Sequence, residues 1–114
     1  MTKEETREKG HVSISQEVVT AIAAIAASEV DGIFHREEGM KRYVDTEVEG
    51  ENVKVTVRVT LVYGNSLYKV AKEIQTRVRT EVEQMTGLQV SGVNVDIQRL
   101  VTPEEQQLNK KEEE

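Results

Sequence analysis

The sequence is poor in the residues that build the commonest kinds of functional site. It contains no cysteine, which excludes disulfides, thiolate metal sites and a thiol nucleophile and is typical of a protein from a reducing cytoplasm. It contains no tryptophan, one Phe and three Tyr, which is little aromatic surface for stacking on single-stranded nucleic acid. No apolar run approaches the ~18–20 residues needed to cross a bilayer. We therefore expect a cytoplasmic protein without a membrane segment of its own.

The charge is acidic overall and uneven along the chain. Lys and Arg number 15 against 21 Asp and Glu, a net charge of −6, whereas nucleic-acid binders are normally basic. Because both ends are polar and poor in apolar residues, they cannot offset their own ordering entropy. We predict a flexible tail over residues 1–9, one folded domain over 10–101, and an acidic tail over 102–114. A capping box with Pro103 in its first turn predicts a short helix in that second tail.

The first third of the chain predicts a helix between two short strands. Residues 11–14 are expected to form a strand, and Ser15 is a typical N-cap for the helix that follows. Gly32 is well placed for the left-handed turn that ends the helix, and residues 33–35 predict a second short strand. A polar loop is predicted over residues 36–42. The predicted core stripe of the helix is Val18, Ile22, Ile25 and Ala26.

The centre of the chain predicts a β-hairpin in a defined register. Apolar residues occupy every second position from Val53 to Tyr63, the pattern of a strand with one buried face. A type II′ turn with Gly50 at its first central position makes the numbers of paired residues sum to 101. The predicted pairs are Val48–Val53, Thr46–Val55 and Val44–Val57 inside, and Glu47–Lys54 and Tyr43–Arg58 outside.

A second helix and a last strand complete the predicted fold. Asn65 or Ser66 caps the helix, and Gly87 ends it. Glu73–Arg77 and Arg79–Glu83 are expected to form ion pairs on its polar side. Val93, Val95 and Ile97 then alternate with polar residues in a strand. The predicted core stripe of the helix is Leu67, Val70, Ala71, Ile74, Val78, Val82 and Met85. The predicted order is β-α-β-β-β-α-β, an α+β fold with an antiparallel or mixed sheet and two helices packed on one face.

Known catalytic and cofactor motifs are not present in the sequence. His11 and His35 lack further ligands at a spacing that converges on a metal, and no serine lies in a G-x-S-x-G motif. The one glycine of Tyr63–Ser66 falls short of a phosphate-binding loop. We therefore expect no catalytic residue, no cofactor, no metal and no enzymatic activity.

Two surfaces remain as candidates for binding a partner, and an open strand edge is an alternative to the first of them for contact with a partner protein or another copy of the chain. The first is the polar side of the long central strand, where apolar Val62 stands among polar neighbours: Lys54, Thr56, Arg58, Thr60 and Val62. The second, an alternative RNA-binding face, is the basic side of the second helix: Lys69, Lys72, Arg77 and Arg79. Interleaved acidic residues and the low aromatic content favour the first surface, so nucleic acid is the less expected partner.

Several segments together resemble the alkaline shock protein family, which comprises general-stress proteins of mostly Gram-positive bacteria. The matching segments are GHVSISQEVV near the start, AASEVDGI at the first helix exit, and VYG after the long strand. They continue with VAKEIQTRVRTEVEQMTGL in the second helix and VSGVNVDIQRL in the last strand. The resemblance covers about residues 10–100, nearly all of the predicted folded part.

This resemblance implies a non-enzymatic protein of cell-envelope homeostasis and stress response. It also implies protein–protein contacts and, as in some relatives, self-association into a homo-oligomer and location at the membrane through a membrane-anchored partner. It implies no catalytic residue and no cofactor.

Overall fold

Two helices and one sheet make up the part of the chain that is described. The computed structural model describes residues 10–34 and 39–104. The helices are α1 (Gln16–Ser28) and α2 (Leu67–Thr86), and the strands are β1 (Val44–Glu49), β2 (Asn52–Val62) and β3 (Gln89–Val101). One turn of 3-10 helix, Lys41–Tyr43, precedes β1 within the predicted loop.

The sheet is mixed, one of the two predicted arrangements. Its strands lie in the order β1-β2-β3, with β1 antiparallel and β3 parallel to β2. The parallel pair requires a crossover, which α2 supplies between β2 and β3. The α+β class with two helices is thus confirmed.

The predicted hairpin register is confirmed at the valine pairs and at Glu47–Lys54. Gly50 has φ 62°, and no described residue other than glycine has a positive φ, as a type II′ turn requires. The predicted Tyr43–Arg58 pair is wrong, because Tyr43 belongs to the 3-10 turn and the ladder begins at Val44. Arg58 instead donates to the carboxylate of Asp45 and to the carbonyl of Arg42.

One apolar layer joins the sheet to both helices. The inward residues of β2 are at most 3% exposed: Val53, Val55, Val57, Val59 and Leu61. Four residues of α2 face them in the same cluster, Val70, Ile74, Val78 and Val82, with Val19 and the buried alanines of α1. Because all of these residues form one cluster, both helices lie on the same face of the sheet, as predicted. Each fully buried aliphatic side chain contributes about 1.5–3 kcal/mol to stability.

The two predicted short strands do not form. Residues 11–15 have no strand conformation. The start of α1 contacts β1, since Gln16 Nε2 donates to the Thr46 carbonyl and the Thr20 and Thr46 hydroxyls lie 2.7 Å apart. Ile33 makes one isolated antiparallel bridge to Leu61. His35, the last residue of this predicted strand, lies outside the described residues.

Helix α1 confirms half of the predicted stripe, because Ala26 is buried and Ile22 packs against the core, but Val18 and Ile25 are exposed. Ala23 and Ala27 are fully buried, whereas Val18 is 47% and Ile25 is 62% exposed. Small residues let α1 approach α2 closely. The turn after α1 also lies close to α2. Gly32 has φ 97°, and a Cβ there would lie 3.1 Å from Cγ2 of Val70. Only glycine fits both the backbone conformation and the space.

This core predicts that replacing two helical isoleucines changes the free energy of unfolding by very different amounts. Ile74 is fully buried, so Ile74→Ala should lower the free energy of unfolding by about 2–5 kcal/mol through lost burial and a residual cavity. Ile25→Ala, the matched control at an exposed site, should change it by less than about 0.5 kcal/mol. Urea denaturation followed by circular dichroism measures both. Equal losses for the two variants would contradict the packing of α1 and α2 described here.

Candidate interaction surfaces

The side of the sheet that faces away from the helices is the first candidate surface. We call it the outer face and define it by the β2 residues Lys54, Thr56, Arg58, Thr60 and Val62. The neighbours of Thr56, Arg58 and Thr60 across the sheet are polar residues of β1 and β3, whereas Val62 lies beside Val101. The period-2 pattern of β2 places these five side chains opposite the valines of the core.

Charges of opposite sign alternate across the outer face. Lys54 lies opposite Glu47 of β1. Arg58 donates to Asp45 and has Asp96 of β3 as its neighbour on the other side. Opposite charges on adjacent strands stabilise the pairing by a few tenths of a kcal/mol to about 1 kcal/mol each. The outer face is therefore largely neutralised within the sheet and does not present a field of one sign.

Only part of the outer face is accessible. Thr60 is 7% exposed, and Val62 is half-buried beside Val101, which is 3% exposed. The backbone of Thr60 accepts a hydrogen bond of 2.8 Å from the N–H of Phe34. Lys54 is exposed, and Thr56 and Arg58 are half-buried like Val62, so the accessible polar surface of the outer face comes from Lys54, Thr56 and Arg58.

The basic residues of α2 do not form one patch. The guanidinium of Arg77 turns towards α1, where Nη2 lies 3.5 Å from Oε2 of Glu29. Lys72 and Arg79 face the other way and line a groove beside β3. Of the predicted RNA-binding face, Arg77 is therefore separated from Lys72 and Arg79. The predicted Glu73–Arg77 pair is replaced by this contact between helices.

The groove between α2 and β3 has a volume of about 450 Å³. Lys72, Gln75 and Arg79 line its wall, and residues 92–94 of β3 lie along its base. Among the described residues, no carboxylate and no histidine lines it, so these residues do not supply the pair of titratable groups that acid–base catalysis needs. Elsewhere in the described residues, no group of three His, Cys, Asp or Glu is placed to hold a metal ion. None of the described helices could cross a bilayer.

Two side chains of α2 cover the beginning of β3, which lies at the edge of the sheet. Gln75 Nε2 donates to the Val93 carbonyl at 2.9 Å, and Oε2 of Glu83 accepts from the Val90 N–H at 2.9 Å. Unpaired backbone groups at a sheet edge invite pairing with another chain. Gln75 provides a hydrogen-bond partner for such a group at Val93, and Glu83 does so at Val90.

Sequence reasoning missed the role of Gln75 and Glu83. Both lie on the polar side of an amphipathic helix, where the pattern predicts contact with solvent. Glu83 was assigned to an ion pair with Arg79 from their spacing, but its carboxylate binds the backbone of β3 instead. The only local signal was the short connection from α2 to β3, which brings the last turns of the helix beside the start of that strand.

Comparison with known proteins connects this fold to a family. Residues 4–102 match the model of the alkaline shock protein 23 family, which is described as having a cell envelope-related function. The chain belongs to this family. The resemblance identified from the sequence segments is thereby confirmed.

The chain is also similar to two proteins of Bacillus subtilis. It is 31% identical over 104 residues to protein YloU, covering 78% of this chain and 87% of YloU. It is 30% identical over 101 residues to protein YqhY, covering 77% of this chain and 75% of YqhY.

Among solved structures, the chain resembles the MamM C-terminal domain at the level of the fold. The match to MamM-CTD 215-293 has a TM-score of 0.51 with 18% identity, and covers 75% of this chain and 99% of that domain. The copper form of a variant of that domain with one substitution gives the same TM-score and identity. At this identity the likeness concerns the fold.

The hydrogen bond from α2 to the start of β3 predicts that two glutamines of α2 differ in their contribution to stability. Gln75→Ala removes the hydrogen bond to Val93 and should lower the free energy of unfolding by about 1 kcal/mol. It should also speed amide hydrogen exchange near the start of β3. Gln84→Ala, the matched control at an exposed position of the same helix, should change the stability by less than about 0.5 kcal/mol. Thermal and urea unfolding measure the stability, and NMR measures the exchange. Identical behaviour of the two variants would contradict this role of Gln75.

Proposed function

We propose that the protein is a non-enzymatic interaction module of cell-envelope homeostasis and stress response, which binds a protein partner through the accessible part of the outer face. One observation carries this proposal: both helices lie on the opposite face of the sheet, so that Lys54, Thr56 and Arg58 remain accessible. The family description, a cell envelope-related function, supports the cellular setting.

The charge pattern of the outer face suggests the kind of partner. Because Glu47, Lys54, Asp45 and Arg58 alternate in sign, a partner with the complementary pattern would gain specificity more than raw affinity. A uniformly charged surface, such as a nucleic acid or an anionic membrane, would meet both attraction and repulsion. The proposed partner is therefore a protein, and a membrane-anchored protein would bring this chain to the envelope.

The absence of enzymatic activity is part of the proposal. The groove beside β3 is lined by amide, hydroxyl and basic side chains, which lack a general base. The family description names no reaction. RNA or ribosome binding through Lys69, Lys72, Arg77 and Arg79 is the weaker alternative, since Arg77 contacts Glu29 and points away from Lys72 and Arg79.

A pair of charge reversals separates the two partner classes. Lys54→Glu changes an exposed residue of the outer face and should abolish retention of the protein partner, because it places a carboxylate opposite Glu47. Lys72→Glu changes an exposed residue of α2 by the same charge and should leave that retention intact. Affinity capture with membrane and cytosolic fractions, read by mass spectrometry and by RNA quantification, measures both.

The opposite result would identify the alternative. If RNA is retained by the wild type and by Lys54→Glu, lost with Lys72→Glu, and released by raising the salt concentration, the basic side of α2 is the functional surface. Retention of the same proteins by wild type, Lys54→Glu and Lys72→Glu would contradict the outer-face proposal.

A further inference from the structure

The second half of β3 presents backbone groups that no other described strand uses. The order β1-β2-β3 makes β3 an edge strand. The Gln89 N–H donates to Glu51 and the Val101 carbonyl accepts from Tyr63. The backbone groups of Gln89 and Val101 therefore point towards the β2 side of β3. Because backbone groups alternate in direction along a strand, the residues between Gln89 and Val101 can be sorted into those that face β2 and those that face outward.

Two irregularities of β3 determine this sorting. The pairing with β2 shifts between Val53 and Lys54 and again between Val59 and Thr60, so Ser91 and Gln98 are extra residues on β3. The outward residues that result are Val90, Val93, Val95, Ile97 and Leu100. Glu83 binds the backbone of Val90 and Gln75 binds that of Val93 from outside the sheet, which agrees with this assignment. Val95, Ile97 and Leu100 have no partner strand within residues 10–34 and 39–104.

Apolar side chains surround this open part of the edge. Ile97 and Leu100 pair with Val59 and Leu61 and so lie on the helix side of the sheet, yet they are 38% and 48% exposed. Leu67 and Tyr68, in the first turn of α2, are 38% and 71% exposed. Leu67 and Leu100 line one depression together. An open edge with exposed apolar side chains is a surface for pairing with another strand.

The sequence of this segment is complementary to itself in the antiparallel direction. If the numbers of paired residues sum to 195, Asp96 of one copy lies opposite Arg99 of the other, and Val95 lies opposite Leu100. The extra residue Gln98 makes this register consistent, because Val95 and Leu100 then both face outward and both lie on the helix side. Asp96 and Arg99 both lie on the outer side, beside Arg58 and Thr60 of β2.

We propose that residues 95–100 of β3 pair antiparallel with the same residues of a second copy, forming a two-fold dimer with one continuous six-stranded sheet. The pairing stops at Val93, because Gln75 already occupies the carbonyl there. Such a contact is self-complementary, as a two-fold interface requires. Since six strand residues and the flanking apolar side chains bury less than the ~800 Å² per partner of stable complexes, we expect a dissociation constant in the micromolar range.

Charge reversal and its rescue test the proposed register. Arg99→Glu places Glu opposite Asp96 at two symmetry-related positions, and should raise the dissociation constant about tenfold or more. The double variant Asp96→Lys with Arg99→Glu restores opposite charges and should recover much of the affinity. Arg79→Glu, the same change on the exposed side of α2, is the matched control and should leave the dimer unchanged. Sedimentation velocity over a concentration series measures all four proteins.

Cross-linking tests the same register without relying on affinity. Because the chain has no cysteine, Asp96→Cys and Arg99→Cys each introduce a single thiol. Mixed together, the two variants place Cα atoms about 4.5 Å apart in a non-hydrogen-bonded pair, within disulfide range. Either variant by itself places its two copies of the thiol about 10 Å apart, three residues along the strands, which is too far.

The expected result is a covalent dimer under oxidising conditions in the mixture and not in either single variant. A wild type that stays monomeric at several hundred micromolar would overturn the proposal, as would a dimer insensitive to Arg99→Glu or a mixture without cross-link. This dimer adds to the proposed role as an interaction module, but it uses a different surface. Loss of partner capture by Lys54→Glu is scored separately, so either proposal can fail without the other.

Discussion

The contact between the valine side of β2 and the aliphatic stripe of α2 is the interaction on which the rest of the structure depends. Val55, Val57, Ile74 and Val78 are fully buried, and α2 is also the connection that makes β3 parallel to β2. The same helix supplies Gln75 and Glu83 to the edge of β3 and packs against the small residues of α1. Weakening this contact would therefore loosen the sheet edge and both helices together.

The hairpin and the two helices could be predicted from the sequence because each depends on local chemistry. Gly50 sets the turn, the alternation of Val53, Val55 and Val57 sets the register, and Ser15 and Ser66 cap the helices as their positions suggest. A slip of one residue would expose every inward-facing valine of β2. Because these features act between residues close in the sequence, they specify the hairpin and the helix starts without tertiary contacts.

The parts that could not be predicted depend on tertiary contacts. Helix α1 is apolar on more than one side, so its periodicity could not show that Ala23 and Ala27, rather than Ile25, face the core. The strand predicted at residues 11–14 is absent, and it is Gln16 and Thr20 of α1 that contact β1. The residues of the outer face could be chosen from the alternation of β2, but the burial of Thr60 could not, because it depends on the segment that runs alongside β2 at Phe34.

The geometry of β3 is the part of this account that connects fold and function, and amide hydrogen exchange tests it most directly. In dilute solution, NMR should find slow exchange at Asn94, Asp96, Arg99 and Val101, whose N–H groups face β2, and fast exchange at Val95, Ile97 and Leu100. At high protein concentration Val95 and Leu100 should become protected as the second copy pairs. Protection of these two residues at every dilution, or at none, would contradict an edge strand that is open in the monomer and closed in the dimer.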